Sequence, residues 1–567
     1  MFDKKVTALI VSIVAAFNLL VYVSMRSLLG FIGYFTNFPP LTYILFVIMA
    51  AVVVLSFINL LHKHNKKLLI ALFVADILFF ILVIGYFIGA FELYMVFFVE
   101  MAKMLLVYAA IAIIVYLIFY FPKSKYYTKT VATVICVALV LAVVIGFTDI
   151  EKLKINFITT GAAVYAVEDE YQIVWTTSNQ ALGWVEVDGV KYYDDIAGSV
   201  KSTDTVHKVS VPQQALDSAK SYTIYSQTMI NEEAYSALKG RTFSKTYAFR
   251  PVDTSDGVQY YAVSDTHGIN KKGFATASYY GDDTDFVIIA GDTVSFLDSK
   301  FDLERIAKLS HGVSKGNIPV IFARGNHEIK GKSAESLYKY IGATDSQDYY
   351  FTFRLASVWG VVLDVGDSHP DQWKENFDTA NFTPYRNAQL DMLDKIIADK
   401  ENTYLAEGIT HRIAVSHVNT AFAHNTSNFL YDYFIEINQR LNEIGIDVMI
   451  SGHKHHVFVV PKGEVVGAEL SFASQYIGNA EDPDGNAALA TGAMFNSIIC
   501  SRRSDTQSLS KKEKRLGMRH IGAAMHYKID QAGDGVLEVR FTTHRKRVIN
   551  TINPFTGQSN GTTIYIY

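Results

Sequence analysis

The pattern of apolar positions changes character twice along the chain. In the first quarter it runs on without alternation. Five stretches, at about Val6–Met25, Leu41–Leu61, Leu68–Phe91, Leu93–Phe121 and Thr130–Phe147, are apolar all round. A helix needs roughly 20 such residues to cross a bilayer, so the pattern predicts five spanning helices within residues 1–150. From Asp149 the runs become short and alternating: Ala162–Trp175, Leu182–Val187, His207–Val211, Tyr222–Met229 and Lys245–Pro251. Turn groups such as Asp188-Gly189 separate them, which predicts an all-β sandwich over residues 151–251. Over residues 252–567, fully apolar strand-like runs alternate with helix-period segments. One of these begins at Tyr385 and puts Leu390, Leu393, Ile396 and Ile397 on one helix face. Trp359–Val365, Ala468–Ala473, Ala523–Ile529 and Gly535–Thr543 read as further strands, the last two possible partners in a pair.

Basic residues orient the apolar runs. Lys4 and Lys5, then Lys63, Lys66 and Lys67, then Lys123, Lys125 and Lys129 fall in alternate connections, against only Arg26 and Glu92 on the opposite side. The expectation is a cytoplasmic amino terminus, contact with the lipid bilayer through five spans, and an extracellular remainder. Asp76, Glu100 and Lys103 fall in or near the runs, and Glu100 and Lys103 can pair on one helix face.

At 567 residues the chain is too long for one ordinary domain. A net charge of -4 gives no basic excess, so no nucleic-acid partner is expected. Two cysteines, Cys136 and Cys500, build no disulfide framework.

The chemistry lies at the ends of strand-like runs. Val258–Val263 leads to Asp265-Thr266-His267, and Asp285–Ala290 to Gly291-Asp292. Pro319–Ala323 leads to Gly325-Asn326-His327-Glu328, Arg412–Ser416 to His417, and Asp447–Ile450 to Gly452-His453-Lys454-His455. Five runs thus end in side chains able to hold a metal, and open α/β sheets place their sites at the carboxyl ends of strands. A mixed carboxylate, imidazole and amide set suits Mn, Fe or Zn rather than a structural zinc. No Gly-rich loop ending in Gly-Lys-Ser/Thr offers another phosphoryl-transfer site.

These blocks, in this order, resemble the motif set of the calcineurin-like metallophosphoesterases over about Tyr260 to His456. The segment around Gln172–Thr177 and Tyr222–Ser226 resembles a fibronectin type III-like module, which precedes the catalytic domain in purple acid phosphatases. With the five apolar runs, the resemblance implies a multi-domain fold: the runs an all-α bundle of five transmembrane helices, the resemblance a β-sandwich and a four-layer α/β/β/α catalytic sandwich. It implies two divalent transition-metal ions (Mn, Fe or Zn), with Asp265, His267 and His455 on one, Asn326, His417 and His453 on the other, and Asp292 bridging. His327 would be the catalytic acid or would stabilise phosphoryl oxygens, and Glu328 would orient its neighbours or simply start a helix.

The implied reaction is hydrolysis of a phosphate-ester substrate by hydroxide activated at the dinuclear centre. Purple acid phosphatases carry an iron-binding tyrosine three residues after the bridging aspartate; Ser295 stands there, so no charge-transfer colour is expected. Two alternatives stay open. The membrane bundle could be a sensor or lipid-binding module with an esterase-like domain reading a phosphorylated ligand, or the substrate could be a diester or a lipid-linked pyrophosphate. Asp364, Asp367, His369, His424, Lys454 and His456 are further pocket candidates. The basic stretch Arg502-Arg503 and Lys511–Arg515 reads as a solvated face or an anion grip.

Overall fold

Alternation along four strands decides how the layers stack. In a computed structural model of the chain, Val358–Leu363, His411–Ser416, Val448–Ser451 and Asn496–Cys500 lie side by side and parallel. Val358, Val362, Ile413, Val415, Val448, Ile450, Ile498 and Cys500 join one apolar core. The residues between them, Trp359, Val361, Leu363, Ala414, Met449 and Ile499, join another. Successive strand residues point to opposite faces, so this sheet is covered on both sides. The second core takes Leu390, Leu393 and Ile396 from the helix Phe382–Ala398, and Ile437, Leu441 and Ile444 from the helix Tyr431–Ile444.

The first core is shared with a nine-stranded sheet through Tyr260, Ala262, Ile288 and Ile321. The helices Asn270–Ala277 and Lys300–Ser314 cover that sheet's other face, the latter through Leu303, Ile306 and Leu309. The layers are therefore helix, sheet, sheet, helix. A polar staple joins the two sheets: His411 meets the Tyr260 hydroxyl at 2.9 Å and Asp447 Oδ2 at 3.0 Å, and stacks on Tyr527 at 4.1 Å.

The structure describes residues 157–552 and 559–566, apart from 198–199, 232–237, 377, 424–428, 463–488 and 503–510, together with residues 51, 54, 55, 71 and 74. By contacts the chain forms two units, Met1–Ile155 with Met229–Gly240 and Asn156–Thr228 with Arg241–Tyr567. Both sheets and the site belong to the second.

Two parts of the expected fold class need correction. Among the described residues no helix is long and apolar enough to cross a membrane, so the five-helix transmembrane bundle and its contact with the bilayer have no support. The runs that suggested the bundle, with Asp76, Glu100 and Lys103, lie outside the described residues except at single positions. The second correction is the separate fibronectin III-like sandwich. Ile158–Val167 pairs in parallel with Pro319–Ala323, setting Val164 opposite Pro319 and Tyr165 opposite Val320. Glu170–Thr177 and Val206–Pro212 extend the same sheet.

The physical reason is burial on both faces. Ala162–Val167 and Tyr171–Thr177 are buried at every position, as strands inside a covered sheet are. Gln172 cements the join, accepting from the Ala343 N–H at 3.1 Å and donating to its carbonyl at 2.7 Å. The chain expected as a spacer thus supplies three strands of the catalytic sheet, Ile158–Val167, Glu170–Thr177 and Val206–Pro212. Ala181–Val187, with Val190–Tyr193 and residues 223–228, forms a smaller sheet beside them.

A polypeptide of residues 252–567 is accordingly expected to be insoluble or to unfold without a cooperative transition in urea, whereas 157–567 unfolds cooperatively. A cooperatively folded 252–567 would restore the separate module.

Candidate metal centre

Three parallel strands of the larger sheet, Val258–Val263, Phe286–Ala290 and Pro319–Ala323, end next to one another. Their ends carry Asp265 with His267, Asp292, and Asn326. The facing sheet delivers His417 after His411–Ser416, and His453 and His455 after Val448–Ser451. Five of these seven residues leave their strands in the left-handed region, with φ of 55° at Asp265, 44° at His267, 51° at Asp292, 69° at His453 and 54° at His455. Non-glycine residues seldom sit there, and each costs on the order of 1–3 kcal/mol unless its surroundings over-determine it.

The surroundings do so by cross-linking the loops. The Asp265 N–H donates to the Gly291 carbonyl at 3.0 Å, that of His267 to Asp292 at 3.1 Å, and that of Gly452 to His417 at 3.0 Å. Two glycines are obligatory. A Cβ at Gly452 would collide with Ser264 Oγ and approach Asp265 Oδ2 to 2.8 Å, and one at Gly291 would lie 2.7 Å from the Gly325 Cα.

The side chains converge in two groups whose ligand atoms lie within 4.8 Å of one another: Asp265, His267 and His455, and Asp292, His417 and His453. A third group, His267, Asp292 and His327, links them. Asn326 Oδ1 is 3.1 Å from His417 Nε2 and 3.2 Å from His453 Nδ1, and His417 Nε2 is 3.2 Å from Asp292 Oδ2. His455 Nε2 is 3.7 Å from Asp265 Oδ1 and its ring stacks on His267 at 5.3 Å. All seven expected ligands are thus brought together.

Carbonyl partners fix the ring orientations. Nδ1 of His417 donates to Ala290 at 2.7 Å, Nδ1 of His455 to Arg502 at 3.1 Å, and Nδ1 of His327 to Ser295 at 2.7 Å. A carbonyl only accepts, so each ring turns Nε2 into the cleft. His327 is half-exposed, with Nε2 3.8 Å from Asp292 Oδ2. Glu328 is fully buried. One of its carboxylate oxygens accepts from the N–H groups of Asp292 and Gly325 at 2.9 Å, the other from the Thr293 N–H at 2.6 Å and hydroxyl at 2.7 Å. It anchors the loops carrying Asp292 and Asn326.

Of the expected ligands, two have a buried polar atom that lacks any hydrogen-bond partner among the described residues, Asp265 Oδ1 and His267 Nε2, and both belong to the first group. Ser264 Oγ, at 2.6 Å, and the His453 N–H, at 3.1 Å, satisfy the other Asp265 oxygen. Leaving a buried carboxylate oxygen and an imidazole nitrogen unpaired is costly; a divalent cation between them removes the cost, so the donor set fits the expected ions.

Other candidates fare differently. Asp364 is buried against Arg324 at 2.7 Å, and Asp367 faces Lys330 at 3.4 Å and His369 at 3.1 Å. Both hold the loop after Val358–Leu363. Lys454 and His456 are half-buried; His424 lies outside the described residues. Ser264 and Arg502 were missed or misread by sequence. Ser264 is an unremarkable serine until its hydroxyl is seen on Asp265. Arg502 is buried, whereas Lys511, Lys512, Lys514 and Arg515 are exposed.

Without metal, burial lowers His417, but the Asp292 carboxylate outweighs it and pushes the imidazole up to about 10. Burial raises Asp292, and His417, His327 and His267 outweigh that, holding it well below the usual carboxylate range. The His417 contribution to stability is full below its ordinary value of 6.5 and disappears as pH rises through about 10. The Asp292 contribution is present above its ordinary value of 3.8 and disappears as pH falls through its depressed one. At neutral pH a metal must therefore displace the His417 proton. Metal affinity is expected to tighten about tenfold per pH unit from pH 7 to 9, with about one proton released, measurable by calorimetry in buffers of different ionisation enthalpy. Affinity independent of pH would remove the Asp292–His417 pair from the site.

Residues 259–457 match the family model of the calcineurin-like phosphoesterases. Among solved structures the chain is similar to purple acid phosphatase PPD1 from yellow lupin (Lupinus luteus) seeds, with 10% identity and a TM-score of 0.42 over 72% of this chain and 74% of that one. It is also similar to PhoD, with 11% identity and a TM-score of 0.34 over 70% of this chain and 93% of that one. No curated protein matches the chain. The matched residues hold every strand-end block of the cleft, from Asp265 to His455: the chain carries a calcineurin-like phosphoesterase domain and is a metallophosphoesterase, a phosphoric ester hydrolase.

Proposed function

We propose that the chain hydrolyses phosphate esters at a two-metal centre. Asp265, His267 and His455 hold one ion, Asn326, His417 and His453 hold the other, and Asp292 serves both. One observation carries the reading: two groups of ligand atoms adjoin through Asp292, and the first contains a buried carboxylate oxygen and an imidazole nitrogen without hydrogen-bond partners among the described residues.

Mn, Fe(II) or Zn ions bound there supply Lewis acidity toward the phosphoryl oxygens and toward an attacking water. The residues of the chain do the rest. Asp265 and Asp292 bring the negative charge that draws two cations into one cleft. The carbonyls of Ala290 and Arg502 hold His417 and His455 in the tautomer whose Nε2 lone pair faces the ions. His327 is held through Nδ1 by the Ser295 carbonyl and places Nε2 at the mouth of the cleft, where its imidazolium form carries the second proton. There it donates to a phosphoryl oxygen or to the departing oxygen. Glu328 touches neither substrate nor ion and keeps the Asp292 and Asn326 loops in register.

Two substitutions separate these roles. Asp292→Ala is expected to lose bound metal and abolish turnover of a chromogenic phosphomonoester. His327→Ala is expected to keep its metal content while kcat falls about 10²–10⁴-fold. Elemental analysis beside steady-state rates reads both, and an Asp292→Ala protein with unchanged metal content and rate refutes the proposal.

A further inference from the structure

The carboxyl edge of the nine-stranded sheet carries a second cluster that the metal centre leaves unused. Strand register places it. Ala262 is paired with Ala523 on the antiparallel neighbour, which sets Asp265, three residues on, level with the Arg519-His520 end of that strand. The next strand pairs Ile521 with Thr543, and the His544 N–H donates to the His520 carbonyl at 3.0 Å. From the facing sheet Ser501 bridges to Ser264, which puts Arg502 against the ligand His455. Lys272, in the helix that follows His267, reaches His544 Nε2 at 3.1 Å, and the His520 and His544 rings meet edge to face at 5.5 Å. Three basic side chains, Lys272, Arg502 and Arg519, and two imidazoles thus gather on the Asp265 side of the centre.

Arg502 gives the cluster its meaning. It is only 9% exposed, and its Nε has no hydrogen-bond partner among the described residues. An unsatisfied guanidinium N–H is costly to bury. Burial and the charges of Arg502, His544, Arg519 and Lys272 press His520 down to about 3. Positive charge held this close together calls for an anion from outside, and the fork of an arginine suits a phosphate.

We propose that Lys272, Arg502, Arg519, His520 and His544 form an anion subsite beside the metal centre, and that it holds a second phosphoryl group, making the preferred substrate a phosphoanhydride. The inference rests on the phosphoesterase reading above. The first phosphoryl group would lie with its oxygens toward the ions that Asp265, His267, Asp292, Asn326, His417, His453 and His455 would hold. Water forms the new P–O bond there, and the bond to the bridging oxygen breaks. The leaving phosphate keeps the electron pair on the cationic subsite. For inorganic pyrophosphate the balance is P2O7⁴⁻ + H2O → 2 HPO4²⁻, one proton of the water ending on each product. The organic part of a bound simple ester has no ionised group for the subsite to hold, which is why discrimination falls between anhydride and simple ester.

The test uses the full chain with Mn added, and compares kcat/KM for inorganic pyrophosphate with that for p-nitrophenyl phosphate. In Arg502→Gln, and in the Lys272→Gln, Arg519→Gln double variant, the pyrophosphate-to-monoester ratio is expected to fall about tenfold or more, chiefly through KM. Binding of methylenediphosphonate, which cannot be cleaved, to the metal-stripped protein is expected to weaken by a similar factor, read by calorimetry. A wild-type protein that hydrolyses the monoester but whose ratio and methylenediphosphonate binding are untouched by these changes overturns the subsite and leaves the phosphoesterase reading standing. A metal-loaded wild type that turns over neither compound overturns that reading, and the subsite with it.

Discussion

Three carboxylates, Asp265, Asp292 and Glu328, are buried within one cleft at no more than 1% exposure, and the arrangement around them is a set of answers to that cost. Taking an ion out of water costs several kcal/mol unless partners replace the water. Glu328 is answered by backbone N–H groups and the Thr293 hydroxyl. Asp292 is answered by His417 and by the N–H of His327, which donates at 3.0 Å. Asp265 is answered on one oxygen only. The left-handed backbone at five of the cleft residues follows from the same constraint, because it turns side chains of neighbouring strand ends toward one point. That geometry needs strands held rigidly by two cores, which is what the two doubly covered sheets provide.

The site was legible in the sequence because it is built from local blocks. Each block is an apolar run followed within a few residues by its polar ligand, and a strand-end loop needs little tertiary information to be recognised. Gly291 and Gly452 belong to the same local signal, since each precedes a ligand and neither position has room for a Cβ. Glu328 was visible as a residue but not as a role. Its five donors come from Gly325 and from the Asp292-Thr293-Val294 turn, the turn lying more than thirty residues earlier in the chain.

The architecture before residue 252 was less legible for a non-local reason. Short strands with turn signals are equally compatible with a sandwich of their own and with the flank of a neighbouring sheet. What decides is the partner of Ile158–Val167, and that partner, Pro319–Ala323, lies over 150 residues away. One clue was present: Gly161-Ala162-Ala163-Val164-Tyr165-Ala166-Val167 does not alternate, and unbroken runs belong to strands covered on both faces. The five apolar runs are a matter of composition, and composition alone assigns no helix; no described helix has the length and apolarity to cross a membrane. The basic tail shows the same limit in miniature. Lys511–Arg515 and Arg502 look alike in sequence, but a single bridge from Ser501 to Ser264 draws Arg502 into the cleft and leaves the others in solvent.

The central claim is that Asp292 stands between two cations. Crystals of the metal-loaded protein, measured with anomalous scattering above and below the Mn absorption edge, test it most directly. The account requires two peaks about 3.5–4 Å apart, one beside Asp265, His267 and His455, the other beside Asn326, His417 and His453, with an Asp292 oxygen reaching each. A single peak, or peaks away from Asp292, would contradict it.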